Sequence, residues 1–341
     1  MSEYILVRPE WLARHSEKAI EPDLPIVDAH HHLWDIAGWE YMLPDYLADL
    51  RSGHNVKASV FVQCYSMFRS SGPRELRSLG ETEFANGAAA MAASGLYGDT
   101  RICDGIVGYV NLMLGSGAGA VLEKHIAAAG GRFKGIRYIT SSSDDKEVHP
   151  SEKGPPPHLL RDPTFLDGFA CLEPLGLSFD AMIYHTQLDE LAELAHRFPG
   201  TRIVLNHIGM PLGIGRYSDQ REEVRAEWSR GIKKLAEYPN ISVKLGGLAM
   251  KIAGFDFHKS DMPPSSTELA AAWRPYFEQV IETFGPSRCM FESNFPVDKG
   301  GCSYSVLWNA YKRIIERYST DDKAALLAGT AARTYNLLLD F

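Results

Sequence analysis

The chain has 341 residues, 45% of them hydrophobic and 23% charged, which is the composition of an ordinary globular protein. A chain of this length can form a hydrophobic core large enough to be stable without disulfide bonds or structural metal ions. Its formal charge of −8 and the lack of a basic stripe argue against a nucleic-acid-binding protein, because neutralising phosphates requires clustered lysine and arginine. Five scattered cysteines without a Cys-x-x-Cys pair, and no apolar run typical of a signal peptide or membrane span, favour a cytoplasmic enzyme with free thiols.

Short β-rich runs alternate with helical patterns along the chain, which is typical of βαβ units. The predicted strands are residues 26–29, 58–63, 105–111, 135–139, 178–184, 202–206, 241–244 and 289–292. Residues 187–197 and 221–237 are predicted helices, because their apolar positions recur at three- and four-residue spacing. Eight alternations favour an α/β fold, a single (β/α)8 TIM barrel, over a doubly wound open sheet. We predict the barrel over residues 26–341, with residues 1–25 as an N-terminal extension packed on it.

Segments rich in proline, glycine and serine follow several predicted strands, at residues 141–157, 210–215, 259–266 and 296–305. They are predicted to be extended βα loops on the C-terminal face of the barrel, where such folds build their active sites. The stretch 141–163 is long for a compact domain, so it is either a lid over the site or a surface excursion without a role.

The sequence IVDAHHHLWD, residues 26–35, carries the strongest chemical signal. An apolar strand leads directly into three histidines, and because strand side chains alternate, His30 and His32 should face one side and His31 the other. Two imidazoles at positions i and i+2 can converge on one metal ion or one substrate oxygen. Asp28, on the same face, could hold a ligand histidine in the required tautomer.

His207 follows another buried strand, in the sequence TRIVLNHIGMP, and should therefore lie at the same rim of the barrel. With His30 and His32 on the first strand, it becomes a third candidate site histidine. His185 follows the fifth strand in the same way. Either Tyr184 or His185 faces inward as a substrate-binding side chain, because a one-residue slip in register exchanges the two.

Taken together, these segments resemble the amidohydrolase superfamily, in particular its lactonase-like group of TIM-barrel hydrolases. That group includes 2-pyrone-4,6-dicarboxylate lactonase and sugar-acid lactonases. The matching segments are DAHHHLWD (28–35), FVQC (61–64), KGIRY (134–138), VLNHIGMP (204–211), VKLGGL (243–248) and FESNFPVD (291–298). They occur in the order of the family and span nearly the whole chain from residue 26 onward.

The resemblance implies roles for individual residues. His30, His32 and His207 match the site histidines of the family, which would hold one divalent metal ion (Zn²⁺ or Mn²⁺) in those members that use one; other members work without metal. Arg137 matches a position that helps to bind a substrate carboxylate, a task suited to a planar guanidinium. Pairing with a neighbouring acid is the alternative for Arg137, and the same two interpretations apply to Lys244.

One departure from the family pattern bears on mechanism. The family usually has Gly-Ser-Asp-Trp-Pro on the eighth strand, and its aspartate is the general base. Asn294 stands at that position here, and an amide cannot accept a proton at neutral pH. Glu292, two residues earlier on the same face, and Asp298, in the following loop, are the two candidate bases. Alternatively, Glu292 only orients a histidine or pairs with a cation.

The resulting hypothesis is hydrolysis of a lactone, or related cyclic ester, of a small carboxylated or polyhydroxylated substrate. The three histidines would stabilise the developing oxyanion, and Asn294 would orient water or substrate. A metal-dependent non-oxidative decarboxylase is the first alternative, although such enzymes usually open with Glu-x-His. A binding barrel that has lost its chemistry is the second. A homo-oligomer is the default expectation for the assembly.

Overall fold

Eight parallel strands follow one another around a barrel in the computed structural model, which describes residues 4–36, 38–148 and 154–339. The strands are β1 (Pro25–His31), β2 (Trp34–Ile36), β3 (Trp39–Tyr41), β4 (Asn55–Val62), β5 (Arg101–Gly108), β6 (Phe133–Ile139), β7 (Ser178–Met182), β8 (Ile203–Leu205), β9 (Ile241–Leu245) and β10 (Cys289–Phe291). All but β2 and β3 belong to the barrel sheet, in the order β1-β4-β5-β6-β7-β8-β9-β10. The predicted (β/α)8 TIM barrel and its eight strands are confirmed.

The last strand region returns to the first and nearly closes the barrel. His31 forms a parallel bridge with Phe295, just beyond β10. On either side of it, the N–H of Asn294 donates to the carbonyl of His30, and the N–H of His32 donates to the carbonyl of Phe295, both at 2.8 Å. The histidine motif and the FESNFPVD segment are therefore adjacent in space because they form the seam of the barrel.

The hairpin β2–β3 was not predicted from the sequence. Each of its strands has three residues, which is too short for an alternating pattern to be recognised. Ring contacts hold it instead: Trp34 packs against Trp39 at a centroid distance of 4.7 Å, and Tyr4 packs against Trp39 at 5.6 Å.

Helices cover the outside of the barrel. They are α1 (Pro9–Leu12), α2 (Leu43–Leu50), α3 (Leu79–Ala93), α4 (Ala118–Ala128), α5 (Pro163–Phe169), α6 (Leu188–Arg197), α7 (Arg221–Ala236), α8 (Ser266–Phe284), α9 (Tyr304–Ile314), α10 (Thr320–Ala324) and α11 (Thr330–Thr334), with a π-helical turn at Ala325–Gly329. The predicted helices 187–197 and 221–237 are confirmed as α6 and α7. Among the described residues, no helix is long and apolar enough to span a membrane.

The C-terminal segment covers the N-terminal ends of the strands. Lys134, next to the start of β6, donates a 3.3 Å hydrogen bond to the carbonyl of Asn336, and Arg101, at the start of β5, donates to the carbonyl of Leu338. Tyr335 packs among small aliphatic side chains of the barrel interior. This end of the barrel is thereby filled, which leaves the opposite, C-terminal end for a site.

The segment before β1 runs along the loops of that opposite end. The indole of Trp11 donates to the carbonyl of Ser260 at 3.0 Å. The Glu17 carboxylate accepts from the backbone N–H of Ser266 at 2.7 Å and from the Asn309 amide at 2.9 Å. These contacts fix the segment onto the loop that follows β9 and onto α9.

Candidate active site

A cavity of about 590 Å³ lies at the C-terminal ends of the strands. His32, His207 and Asn294 contribute to its wall, together with Arg137 and Lys251. Aromatic side chains form much of the rest, namely Tyr4, Trp34, Tyr65, Tyr109, Tyr138 and Tyr184. Among the described residues no aspartate or glutamate lines this cavity, so its charged side chains are cationic.

Two of the three consecutive histidines, His30 and His32, face each other as the strand alternation predicts, and His32 lines the cavity. The Nε2 atoms of His30 and His32 lie 3.2 Å apart, and the His30 ring stacks on His207 at a centroid distance of 4.9 Å. His31 points the other way, where its Nε2 lies 3.0 Å from the hydroxyl of Ser59 and its ring stacks on Tyr46. The sequence motif thus contributes two side chains to the site and one to the packing outside the barrel.

Glu292 holds two of the site histidines at once. Its Oε2 lies 2.7 Å from Nδ1 of His30, and its Oε1 lies 2.6 Å from Nδ1 of His207. The carbonyl of Val62 lies 2.8 Å from Nδ1 of His32. Each of the three Nδ1 atoms therefore faces an oxygen, which favours the tautomer with the hydrogen on Nδ1 and leaves a lone pair on each Nε2.

The uncharged state of these rings makes their arrangement unusual. Burial lowers the pKa of His30 and of His32 well below the usual value, so both imidazoles are neutral. Two lone pairs then face each other across 3.2 Å, which is unfavourable without a positive group beside them. Arg137 supplies one such group, since its Nη1 lies 3.1 Å from Nε2 of His30.

The same donors fit a divalent metal ion. Bonds of about 2.0–2.1 Å to two tetrahedral ligands place the donor nitrogens about 3.3 Å apart, close to the His30–His32 separation. His30, His207 and Glu292 also form a compact group of potential ligand atoms. The Glu292 contacts of 2.6 and 2.7 Å, however, are hydrogen-bond lengths and too short for co-ligands of one ion. Glu292 therefore lies behind the histidines, in a position to orient them, and their Nε2 atoms are the candidate metal ligands.

Two glycines make room for this cluster. A Cβ on Gly246 would lie 2.4 Å from Cγ of Glu292, and a Cβ on Gly247 would lie 2.6 Å from the His207 side chain. Gly247 also has a φ of +76°, which side chains rarely adopt. The VKLGGL motif thus owes its glycine pair to the close approach of the carboxylate and the imidazole.

Asn294 and Asp298 form a second polar pair. Asn294 lines the cavity with a φ of +52°, and its Nδ2 donates to Oδ1 of Asp298 at 3.0 Å. Asp298 is fully buried behind it, does not reach the cavity wall, and burial raises its pKa well above the usual value. With the amide nitrogen held in this way, the carbonyl oxygen of Asn294 is the atom that can accept a hydrogen bond.

Arg137 is buried at the end of β6 and lines the cavity. Its Nη2 donates to the carbonyl of Gln63, and its Nε has no hydrogen-bond partner among the described residues. No ion pair joins Arg137 to an acid within that part of the chain. The guanidinium therefore keeps unsatisfied donors beside the cavity, in the position from which it could bind a carboxylate.

Lys244 lies beneath the site rather than on the cavity wall. Its Nζ is 2.7 Å from Oδ2 of Asp180, and both side chains are fully buried. Tyr335 and Asn206 donate further hydrogen bonds to the same carboxylate, at 2.8 and 3.0 Å. The ion-pair interpretation of Lys244 matches this geometry.

The structure resolves the ambiguity at the end of β7. Tyr184 lines the cavity, whereas His185 is buried on the far side against Tyr217. Nδ1 of His185 accepts from the backbone N–H of Leu212 at 3.4 Å, and burial lowers the pKa of His185 to about 4. The histidine is thus a neutral packing residue away from the candidate substrate site.

Asp28 does not hold a histidine tautomer, so that prediction is wrong. Its Oδ1 accepts from the backbone N–H groups of His30 and Ser293, and its Oδ2 from the hydroxyls of Tyr46 and Tyr304. The carboxylate points across the seam between β1 and β10 instead of up the barrel. Glu292 takes over the orienting role.

Several residues at the cavity were not predicted from the sequence. Tyr4 and Ile5 reach it from the N-terminal segment, and Tyr65 from the turn after β4. Nothing in the local pattern marks these residues, because their position depends on long-range packing. The stretch 141–163 also contributes wall residues, for example Ser141 and Leu159, while residues 149–153 lie outside the described part of the chain. Its role as a lid stays a prediction.

Comparisons with known proteins place this geometry in context. A family model described as Amidohydrolase matches residues 27–337. The chain is 31% identical to the uncharacterized protein y4mH of Sinorhizobium fredii, over 92% of this chain and 99% of that protein. It is 26% identical to the L-fucono-1,5-lactonase of Burkholderia multivorans, over 91% and 96% of the two chains. The crystal structure of a Burkholderia multivorans amidohydrolase with bound zinc superposes with a TM-score of 0.69 at 24% identity, covering 92% of this chain and 99% of that one.

Proposed function

Because the chain belongs to the amidohydrolase family, we propose that it hydrolyses a lactone or related cyclic ester of a small carboxylated substrate. The observation that carries the proposal is the buried group of His30, His207 and Glu292, in which Glu292 lies against Nδ1 of both histidines and Nε2 of His30 lies 3.2 Å from that of His32. A lactone carbonyl placed beside the cluster would find its hydrogen-bond donor in the buried Arg137 guanidinium, because the Nε2 lone pairs can only accept.

The binding wall suits an anion. Arg137 and Lys251 line the cavity, and no acidic side chain of the described residues does. A carboxylate can occupy the free donors of Arg137 without meeting a like charge. One relative named above is an L-fucono-1,5-lactonase, which supports a ring-opening reaction on a small polar substrate.

Nε2 of His30, His32 and His207 would hold a divalent ion such as Zn²⁺ or Mn²⁺ where one is bound. Such an ion would polarise the carbonyl and favour deprotonation of water. The related Burkholderia structure contains zinc, which supports a metal ion as one form of this site.

The chain's own residues provide the remaining parts of the reaction. In the absence of metal, His207 accepts the proton of the attacking water at Nε2, while Glu292 stabilises the resulting imidazolium through Nδ1–H. The carbonyl oxygen of Asn294 orients that water. The water oxygen bonds to the carbonyl carbon, the ring C–O bond breaks, and the proton passes from His207 to the released alkoxide. Arg137 anchors the carboxylate and stabilises the oxyanion.

The test is a pH-indicator screen of the purified protein against aromatic and sugar-acid lactones. Each lactone is assayed after chelation and dialysis, and again with added Zn²⁺ or Mn²⁺. Proton release that requires the ion assigns the histidines to metal binding, and release without it assigns His207 as the base. Silence across the panel would contradict the proposal, and CO₂ release from aromatic acids would then point to the decarboxylase alternative.

A further inference from the structure

A buried carboxyl outside the histidine cluster is hydrogen-bonded to the turn after β4, which forms part of the cavity wall. Glu81, in the first turn of α3, is fully buried, and its Oε1 accepts hydrogen bonds of 2.9 Å from the backbone N–H groups of both Cys64 and Ser66. Its Oε2 has no hydrogen-bond partner within residues 4–36, 38–148 and 154–339. Burial raises the pKa of Glu81 to about 7, so this position is costly for a charged group. What the carboxyl contributes at this position is the pair of hydrogen bonds that it accepts from the backbone of the turn.

The turn after β4 contains two residues in an unfavourable backbone conformation. Tyr65 has a φ of +60° and Met67 a φ of +56°, in the left-handed region that bulky residues seldom adopt. Gly80, next to Glu81, touches the same turn, because a Cβ there would lie 2.3 Å from the carbonyl oxygen of Met67. The start of α3 and the turn after β4 are therefore packed backbone against backbone.

Two parts of the cavity wall depend on this turn. Tyr65 lines the cavity, and its ring packs on Tyr109 at a centroid distance of 5.4 Å. The carbonyl of Gln63, one residue before Cys64, accepts a hydrogen bond from Nη2 of Arg137. The guanidinium and the aromatic wall are thus both attached to the segment that Glu81 fixes.

We propose that Glu81 is a positioning residue for the carboxylate-binding wall: it fixes the turn after β4, and through it the Tyr65 ring and the Arg137 guanidinium. The inference rests on the proposed function in so far as the substrate carries a carboxylate. An oxygen acceptor at the reach of a glutamate side chain performs this task. We assign the task to this acceptor and not to the net charge, since both hydrogen bonds converge on one oxygen and the other oxygen has no hydrogen-bond partner among the described residues. Burial raises the pKa of Glu81, whereas the positive charge of Arg137 acts to lower it, and Glu81→Gln, which removes the charge, tests whether that attraction matters.

Two substitutions of Glu81 in the full chain distinguish the effect of its side-chain length from the effect of its charge. Glu81→Gln keeps the length and an acceptor oxygen but removes the charge, whereas Glu81→Asp keeps the charge and shortens the side chain. Glu83→Asp is the matched control, because Glu83 lies on the same helix and forms a half-exposed ion pair with Arg69. Benzoate is the probe, since it offers one carboxylate to Arg137 and one ring to Tyr65, and its binding is measured by calorimetry.

Glu81→Asp should weaken benzoate binding about tenfold or more and accelerate hydrogen exchange at the amides of Cys64 and Ser66. Glu81→Gln and Glu83→Asp should stay within about threefold of the unsubstituted protein. With any lactone that is turned over, Glu81→Asp should raise KM and also lower kcat, because Arg137 both anchors the carboxylate and stabilises the oxyanion, whereas Glu81→Gln should change neither by more than about threefold.

The proposal fails if Glu81→Asp binds benzoate as well as the unsubstituted protein, or if Glu81→Gln is as weak as Glu81→Asp. It also fails if the unsubstituted protein does not bind benzoate, because the carboxylate-binding wall would then be absent. Benzoate binding with the expected pattern, but no hydrolysis of any lactone, would refute the proposed function and leave the role of Glu81 standing.

Discussion

Two clusters of buried charge lie within one barrel, and they differ in how fully their polar atoms are satisfied. In the lower cluster, the Asp180 carboxylate receives hydrogen bonds from Lys244, Tyr335 and Asn206, all inside the protein. In the upper cluster, Glu292 contacts Nδ1 of both His30 and His207, but Nδ1 of His30 and Oε2 of Glu292 have no hydrogen-bond partner among the described residues, and His207 lines the cavity. Burial alone therefore does not mark a catalytic site, whereas burial with uncommitted lone pairs does.

The largest effect should follow removal of an uncommitted lone pair. His207→Asn should lower kcat/KM for a lactone by about 10²- to 10⁴-fold, because it removes the proton acceptor or metal ligand. His185→Asn is the matched control: that histidine is equally buried, but it faces Tyr217. Steady-state kinetics of the two variants would refute the comparison if both lost activity equally.

In the lower cluster the expected loss is in stability. Lys244→Met leaves the Asp180 carboxylate buried without its cation, which should reduce the free energy of unfolding by about 3–5 kcal/mol. Adding Asp180→Asn should restore part of that loss, because no unpaired charge remains. Urea titrations of the single and double variants measure both. If the folded Lys244→Met protein also lost substrate binding, Lys244 would belong to the site after all.

An intermediate effect on activity is expected for Glu292, because it contacts two of the candidate catalytic histidines. Glu292→Gln offers one acceptor oxygen to two Nδ1–H groups, so one histidine must meet a donor and change its tautomer. We expect kcat/KM to fall by about 10- to 100-fold. Long-range ¹H–¹⁵N NMR spectra of the two rings would report the tautomers directly, and unchanged spectra would contradict the assigned role.

The smallest effect concerns Glu17, a carboxylate that is only partly buried, in contrast to the fully buried carboxylates of both clusters. Burial alone would raise the pKa of Glu17, but hydrogen bonds from Ser266, Asn309 and His15 outweigh it and lower the pKa to about 2. A depressed carboxyl pKa stabilises the fold above its ordinary value near 4.5, and this contribution is lost as the pH falls toward 2.

Glu17→Gln should therefore reduce the free energy of unfolding at neutral pH by at most about 1 kcal/mol, since solvent screens the group. The difference between the variant and the unsubstituted protein should shrink between pH 4.5 and 2. Urea unfolding at several pH values measures it, and a difference that grew on acidification would contradict the assignment.

The sequence predicted those features that follow from local rules. Alternation along β1 placed His30 and His32 together, and eight strand–helix units specified the barrel. The role of Glu292 could not be decided in advance, because it depends on where Nδ1 of His30 and of His207 lie across the barrel. The contribution of Tyr4 had no sequence signal, since it arises from packing against the hairpin β2–β3.

The position of Tyr4 and Ile5 on the cavity wall has a practical consequence for handling the protein. A tag or carrier fused ahead of these residues would emerge beside the cavity that we propose as the substrate site. A fusion at the other end of the chain would follow Leu338, which contacts the start of β5 at the closed end of the barrel. Assays of substrate preference should therefore use protein tagged at the C-terminus, and immobilisation through that end would leave the cavity facing the solution.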